Sequence, residues 1–131
     1  MANAFDASIK QLYAADKGTD FVADTVAPGA PFDLVADIEI GEDLNGFVND
    51  LKVFVGIRNV TTSGSVLTKT FPHPLTPKNN QAEHLRLRLP IDVTWTAADG
   101  DLLEAVATVR VNAGVHTDYS HAQSDQIIVA T

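Results

Sequence analysis

The chain has 131 residues, enough for one ordinary domain with a single core and too few for two. Hydrophobic residues make up 45% and charged residues 20%, which excludes extended disorder, and the absence of cysteine excludes disulfides, thiolate metal sites and cysteine nucleophiles. The formal charge of −8 argues against nucleic acid and anionic lipid as partners, because both demand a positive patch.

The opening stretch, "NAFDASIKQLYAAD", spaces Phe5, Ile9, Leu12 and Tyr13 at helical intervals, with Asp6 near its start and Gly18 just past its end. It predicts a short helix or ordered arm over residues 1–19, outside a main domain of residues 20–131. No secretory leader and no apolar run of membrane-spanning length is visible, so the expectation is a cytoplasmic protein, or part of an assembly, with no membrane partner.

From residue 20 the pattern turns to period two. "FVADTVA" at 21–27 is a weak strand candidate, closed by Pro28, Gly29 and Pro31. "FDLVADIEI" is a strong one: Phe32, Leu34, Ala36, Ile38 and Ile40 fall on one side, and Asp33, Val35, Asp37 and Glu39 on the other. The acidic stretch "GEDLNGFVND" then offers Glu42, Asp43, Asn45 and Asp50 as oxygen donors suited to calcium. It lacks EF-hand spacing, and aspartate or asparagine beside glycine is also what a tight turn requires.

"LKVFVGIRNV" sends Leu51, Val53, Val55 and Ile57 inward and Lys52, Phe54, Gly56 and Arg58 outward. "SVLTKTF" is a weaker strand, broken by the proline-rich "FPHPLTPKNN". "HLRLRLPIDV" alternates Leu85, Leu87 and Leu89 with His84, Arg86 and Arg88, with a weak continuation at 92–96. After the turn at Asp99-Gly100-Asp101, "LLEAVATVRV" sends Leu103, Ala105, Ala107, Val109 and Val111 inward and Leu102, Glu104, Val106, Thr108 and Arg110 outward. "HTDYSH" reads as the final hairpin loop and "DQIIVAT" as the last strand.

About seven short strands separated by turns predict an all-β, antiparallel β-sandwich. The strand order and the long loop before residue 82 resemble an immunoglobulin-like or fibronectin-like sandwich, without the two cysteines of antibody-type domains. Charge is blocked along the chain, at −8 over residues 1–50, +4 over 51–98 and −4 over 99–131. If the strand at 32–40 pairs with that at 84–89, Arg86 and Arg88 face Asp33, Asp37 and Glu39, which accounts for much of this blocking.

Two constellations bear on function. In "HTDYSH", His116, Asp118 and His121 are chemically suitable ligands for a first-row metal, but their spacing matches no established signature, and the expectation is a solvated loop with no cofactor. The serines occupy no nucleophile elbow and there is no phosphate-cradling glycine loop, so no enzyme is expected. The second constellation is apolar: Phe54 and Val106, with Leu102, on the outward side of neighbouring strands, with Arg58 and Glu104 as a charged rim. That is the anatomy of a protein contact. The sequence therefore points to a non-catalytic structural or assembly module, a homo-oligomer or a binder of a protein partner. The alternative is a lectin-like or metal-dependent ligand-binding module using the loops near Asp43, Asp99 and His116.

Overall fold

A computed structural model describes residues 7–77 and 81–131. Over the described residues the protein is all-β apart from one helical turn. Its elements run β1 (Ala7–Ala15), β2 (Thr25–Val26), β3 (Phe32–Ile40), α1 (Glu42–Asn45), β4 (Val48–Asn59), β5 (Gly64–Pro74), β6 (Glu83–Ile91), β7 (Leu102–Ala113), β8 (His116–Gln123) and β9 (Ile127–Val129). The four strong period-two segments are β3, β4, β6 and β7.

The strands form two sheets, one ordered β1-β3-β6 and one ordered β2-β9-β7-β4-β5, with β8 also on β7. Pairing is antiparallel except between β2 and β9, which run parallel. The sheets share one apolar core, to which β1 contributes Ile9 and Leu12, β3 Leu34 and Ile38, β4 Val53 and Val55, β7 Ala107 and Val109, and β9 Ile127. No helix among the described residues is long and apolar enough to cross a membrane.

Three expectations need correction. The helix expected near the N-terminus is the strand β1; Phe5 and Asp6 lie outside the described residues. The cause is a bulge: the β1–β3 register shifts between Ile9 and Gln11, so the inward positions fall at Ala7 and Ile9 and then at Leu12 and Ala14. One extra residue turns a two-residue spacing into three, which mimics a helical repeat. Secondly, "HTDYSH" is strand β8 rather than a loop, and the hairpin turn is confined to Gly114 and Val115. β8 and β9 share one edge of β7, separated by a register slip of one residue around Ser124, whose Oγ accepts from the Ala105 N–H at 2.9 Å.

Thirdly, residues 92–96 do not continue β6. They carry Trp95, whose Nε1–H donates to the Ala30 carbonyl at 2.9 Å and whose ring meets Phe32 edge-on with centroids 6.0 Å apart. Gly29, at φ +74, sits so close that a β-carbon there would come 3.3 Å from the Trp95 carbonyl oxygen.

Candidate functional site

The outer side of the six-stranded sheet is assembled from four strands whose registers set side chains in rows. Across β5, β4, β7 and β8, one row is Pro72, Lys52, Arg110 and Tyr119; the next is Thr70, Phe54, Thr108 and His121; a third is Thr68, Gly56, Val106 and Gln123. Arg58 then faces Glu104, and beyond it Leu102 faces Ile128 of β9. Parity alone puts these residues outside, because Leu51, Val53, Val55 and Ile57 take the core positions of β4.

Phe54, Val106, Leu102, Arg58 and Glu104 are thus on one face, as the sequence suggests, in a more structured arrangement than a bare apolar patch. Phe54 and Val106 are diagonal neighbours around Gly56, and the missing glycine side chain leaves a shallow depression lined by Phe54, Val106, Thr68, Thr70 and Thr108. A β-carbon at Gly56 would meet nothing within 4 Å. Phe54 is 37% exposed, partly because the Arg110 guanidinium lies over its ring, 5.6 Å from the centroid. Arg58 donates through Nε and Nη2 to one Glu104 oxygen, at 3.1 and 2.8 Å, and this pair separates Val106 from the second apolar spot at Leu102 and Ile128.

Sequence reasoning missed what β8 adds to this face, namely Tyr119, His121 and Gln123. Tyr119 is well exposed beside Arg110. The alternation is one of burial and belongs to the structure; in the sequence the inner side of β8, with His116, Asp118 and Ser120, is as polar as its outer side and gives no hydrophobic period. That side points at β1 instead of the core: the Asp118 carboxylate accepts from the Ala7 N–H at 2.6 Å, and Ser120 Oγ from the Ile9 N–H at 3.0 Å. These side chains cap the outer edge of β1, which would otherwise present unpaired donors. His116 and Asp118 share one side of β8, whereas His121 projects from the other among the outward row with Phe54.

The acidic turns use their oxygens internally. Asp101 Oδ2 accepts from Asn59 Nδ2 at 2.7 Å and from the Ala98 N–H at 2.9 Å, and Asp99 Oδ1 accepts from the Thr131 N–H at 2.9 Å. Asp43 lies in α1, and the Asn45 side chain of the same turn donates to the Gln81 carbonyl at 3.0 Å. Asp99 precedes β7 and His116 follows it, so a strand of 12 residues, roughly 36 Å, lies between them.

The three-stranded sheet carries a different outer face. Asp33 is only 1% exposed, covered by the turn at residues 16–20, where Gly18 at φ +76 turns the chain back. Its carboxylate accepts from Lys17 Nζ at 3.0 Å and the Gly18 N–H at 2.9 Å, with Arg88 Nε 3.5 Å away. Arg86 Nε donates to Asp37 at 3.0 Å, Asp20 draws in both arginines, and Glu39 reaches Lys10 at 3.9 Å. Asp37 holds the Arg86 guanidinium above its ordinary value through that hydrogen bond. Lys17 is likewise raised, by its hydrogen bond to Asp92 first and to Asp33 second. Of the charge pairing expected from the sequence, Arg86 with Asp37 and Arg88 with Asp33 are present, whereas Glu39 lies opposite His84 and reaches Lys10 of β1 instead of an arginine.

The chain matches no protein family and no curated protein. Among solved structures it is similar to the solution structure of a protein from Arabidopsis thaliana, with a TM-score of 0.53 over 96% of this chain and 82% of that one, at 11% identity. At that identity the likeness is one of fold alone.

Proposed function

We propose that the protein is a non-catalytic, immunoglobulin- or fibronectin-like β-sandwich that acts as a structural or assembly module, self-associating or holding a protein partner through the outer side of its six-stranded sheet. The observation that carries this reading is the depression at Gly56, rimmed by Phe54 and Val106 and flanked by Arg110, Tyr119 and the Arg58–Glu104 pair. Aromatic and arginine side chains around an apolar centre dominate protein contacts. Of the segment expected as an N-terminal arm, the described part is β1, which is paired with β3 in the other sheet. The non-catalytic part is supported by how the reactive-looking groups are used: Ser120, Ser124, Asp99, Asp101 and Asp118 hold backbone or side-chain donors. A ligand-binding reading through Asp43, Asp99 and His116 would need separate sites, given the length of β7 between the last two.

Covering the remaining exposed third of Phe54 is worth roughly 1 kcal/mol, so this ring contributes to a contact without defining one. Sedimentation equilibrium tests the self-associating form. The wild type is expected above monomer mass at micromolar concentration, and Phe54→Glu is expected to lower that mass with the Trp95 fluorescence of the folded state retained. A wild type that sediments as a monomer, or a Phe54→Glu variant that unfolds, overturns it.

A further inference from the structure

We infer that Lys52 and Arg110 form a seat for a single carboxylate side chain supplied by the partner of this face; the inference rests on the contact reading above and names its chemistry. The two residues are direct partners across β4 and β7, with Tyr119 next in the same row. Like charges directly opposite one another on a sheet face weaken the pairing. Among the described residues no carboxylate forms an ion pair with either cation, although Lys17, Arg58, Arg86 and Arg88 all have one. The nearby acids are engaged elsewhere: Asp50 accepts from Asn112 Nδ2 at 2.9 Å, Glu104 is held by Arg58, and Asp118 caps β1. Arg110 Nε is buried without an acceptor, under a guanidinium laid on the Phe54 ring. In a chain of charge −8, two adjacent unneutralised cations are a local exception that an incoming anion removes.

The surroundings select the kind of anion. Along the strands the pair is bounded by Asp50 in the adjoining row on one side and by the uncharged rows of Phe54 and Gly56 on the other, with the Arg58–Glu104 pair three rows away, so the positive spot is about one anion wide. A nucleic acid backbone would meet a repulsive rim. Phe54 and Tyr119 beside the cations, and the depression at Gly56, fit instead an aspartate or glutamate flanked by a small apolar side chain of a protein.

Nitrogen-15 NMR titration of the full chain at low salt, with acetylated hexaglutamate amide, sodium sulfate and a hexaserine peptide as probes, tests this. Hexaglutamate is expected to shift the amide resonances of Lys52, Phe54, Arg110 and Tyr119, against the overall repulsion of two acidic molecules, and hexaserine is expected to leave them in place. Lys52→Glu supplies the carboxylate internally; it is expected to weaken hexaglutamate binding by at least about tenfold and to raise the urea midpoint by relieving the like-charge pair. Hexaglutamate binding that is indifferent to Lys52→Glu overturns the seat, and so does a Lys52→Glu midpoint that falls. Sulfate binding at the same resonances with equal affinity overturns the assignment to a protein side chain in favour of a small-anion site. The two readings fail separately. A monomeric wild type that still binds hexaglutamate at Lys52 and Arg110 removes self-association alone, and an oligomer unaffected by Lys52→Glu removes the seat alone.

Discussion

Replacing Asp118 by alanine should loosen β1 from the molecule, and the size of the effect follows from one short contact. Asp118 Oδ2 lies 2.6 Å from the Ala7 nitrogen at a residue that is 4% exposed. A hydrogen bond to a charged acceptor contributes roughly 1.5–3 kcal/mol, and leaving the amide without a partner forfeits about that amount. Ser120→Ala removes a neutral bond to the Ile9 amide and should cost about 1 kcal/mol. The double variant should cost less than the sum, since both side chains hold the same strand. Urea denaturation followed through Trp95, which is buried and the chain's one tryptophan, reports the loss as a lower midpoint at unchanged slope. Hydrogen exchange supplies the local reading, with faster exchange at the Ala7 and Ile9 amides and unaltered exchange in β7. An Asp118→Ala variant within about 0.5 kcal/mol of wild type, with Ala7 still protected, would refute the capping role.

Gly29→Ala should destabilise by about 1–2 kcal/mol, because a residue at φ +74 is strained and its β-carbon crowds the Trp95 carbonyl; a neutral result in the same urea assay rejects that account. Asp33→Ala should cost about 2–3 kcal/mol, more than Arg86→Gln. The first strips the Gly18 N–H of its acceptor and takes from Lys17 and Arg88 one of their two carboxylates, whereas the second removes an exposed partner; equal losses contradict the assignment. Lys17 titrates above the ordinary lysine value in the folded protein, so its ion pairs stabilise fully below that ordinary value and are lost as pH rises through the raised one. Lys17→Met should therefore be less stable than wild type at pH 7, and the gap should narrow as pH rises beyond the ordinary lysine value; a gap that stays constant there contradicts the pairing.

What was legible in the sequence follows from where each strand sits. β3, β4, β6 and β7 place one side against the core, and their alternation could be read directly, as could the pairing of Arg86 with Asp37 and of Arg58 with Glu104. β1 was misread because its bulge adds a residue between two inward pairs. β8 was misread because its inner side serves the edge of another strand through Asp118 and Ser120, a task that calls for oxygen atoms and leaves no apolar repeat. The outer face was half legible for the same reason. Phe54 and Val106 announce themselves by violating parity, but Tyr119 and His121 arrive only once β8 is known to be a strand, and the unneutralised state of Lys52 and Arg110 depends on which acids the fold has already claimed.

The prolines of β5 and β6 bear on how the protein behaves when crowded. Pro72 and Pro74 lie on β5, an outermost strand of its sheet, and Pro90 lies on β6, an outermost strand of the other. A proline in an edge strand turns its nitrogen away from the ladder and offers no donor to a newcomer, so each interrupts the rail along which a foreign strand would zip. The opposite flank is shielded by the Asp118 and Ser120 caps on β1. Strand addition is thus obstructed at β5 and β6 by removing donors and at β1 by occupying them. Molecules brought together through the broad outer side of the larger sheet accordingly meet three strand edges, β1, β5 and β6, that resist being extended.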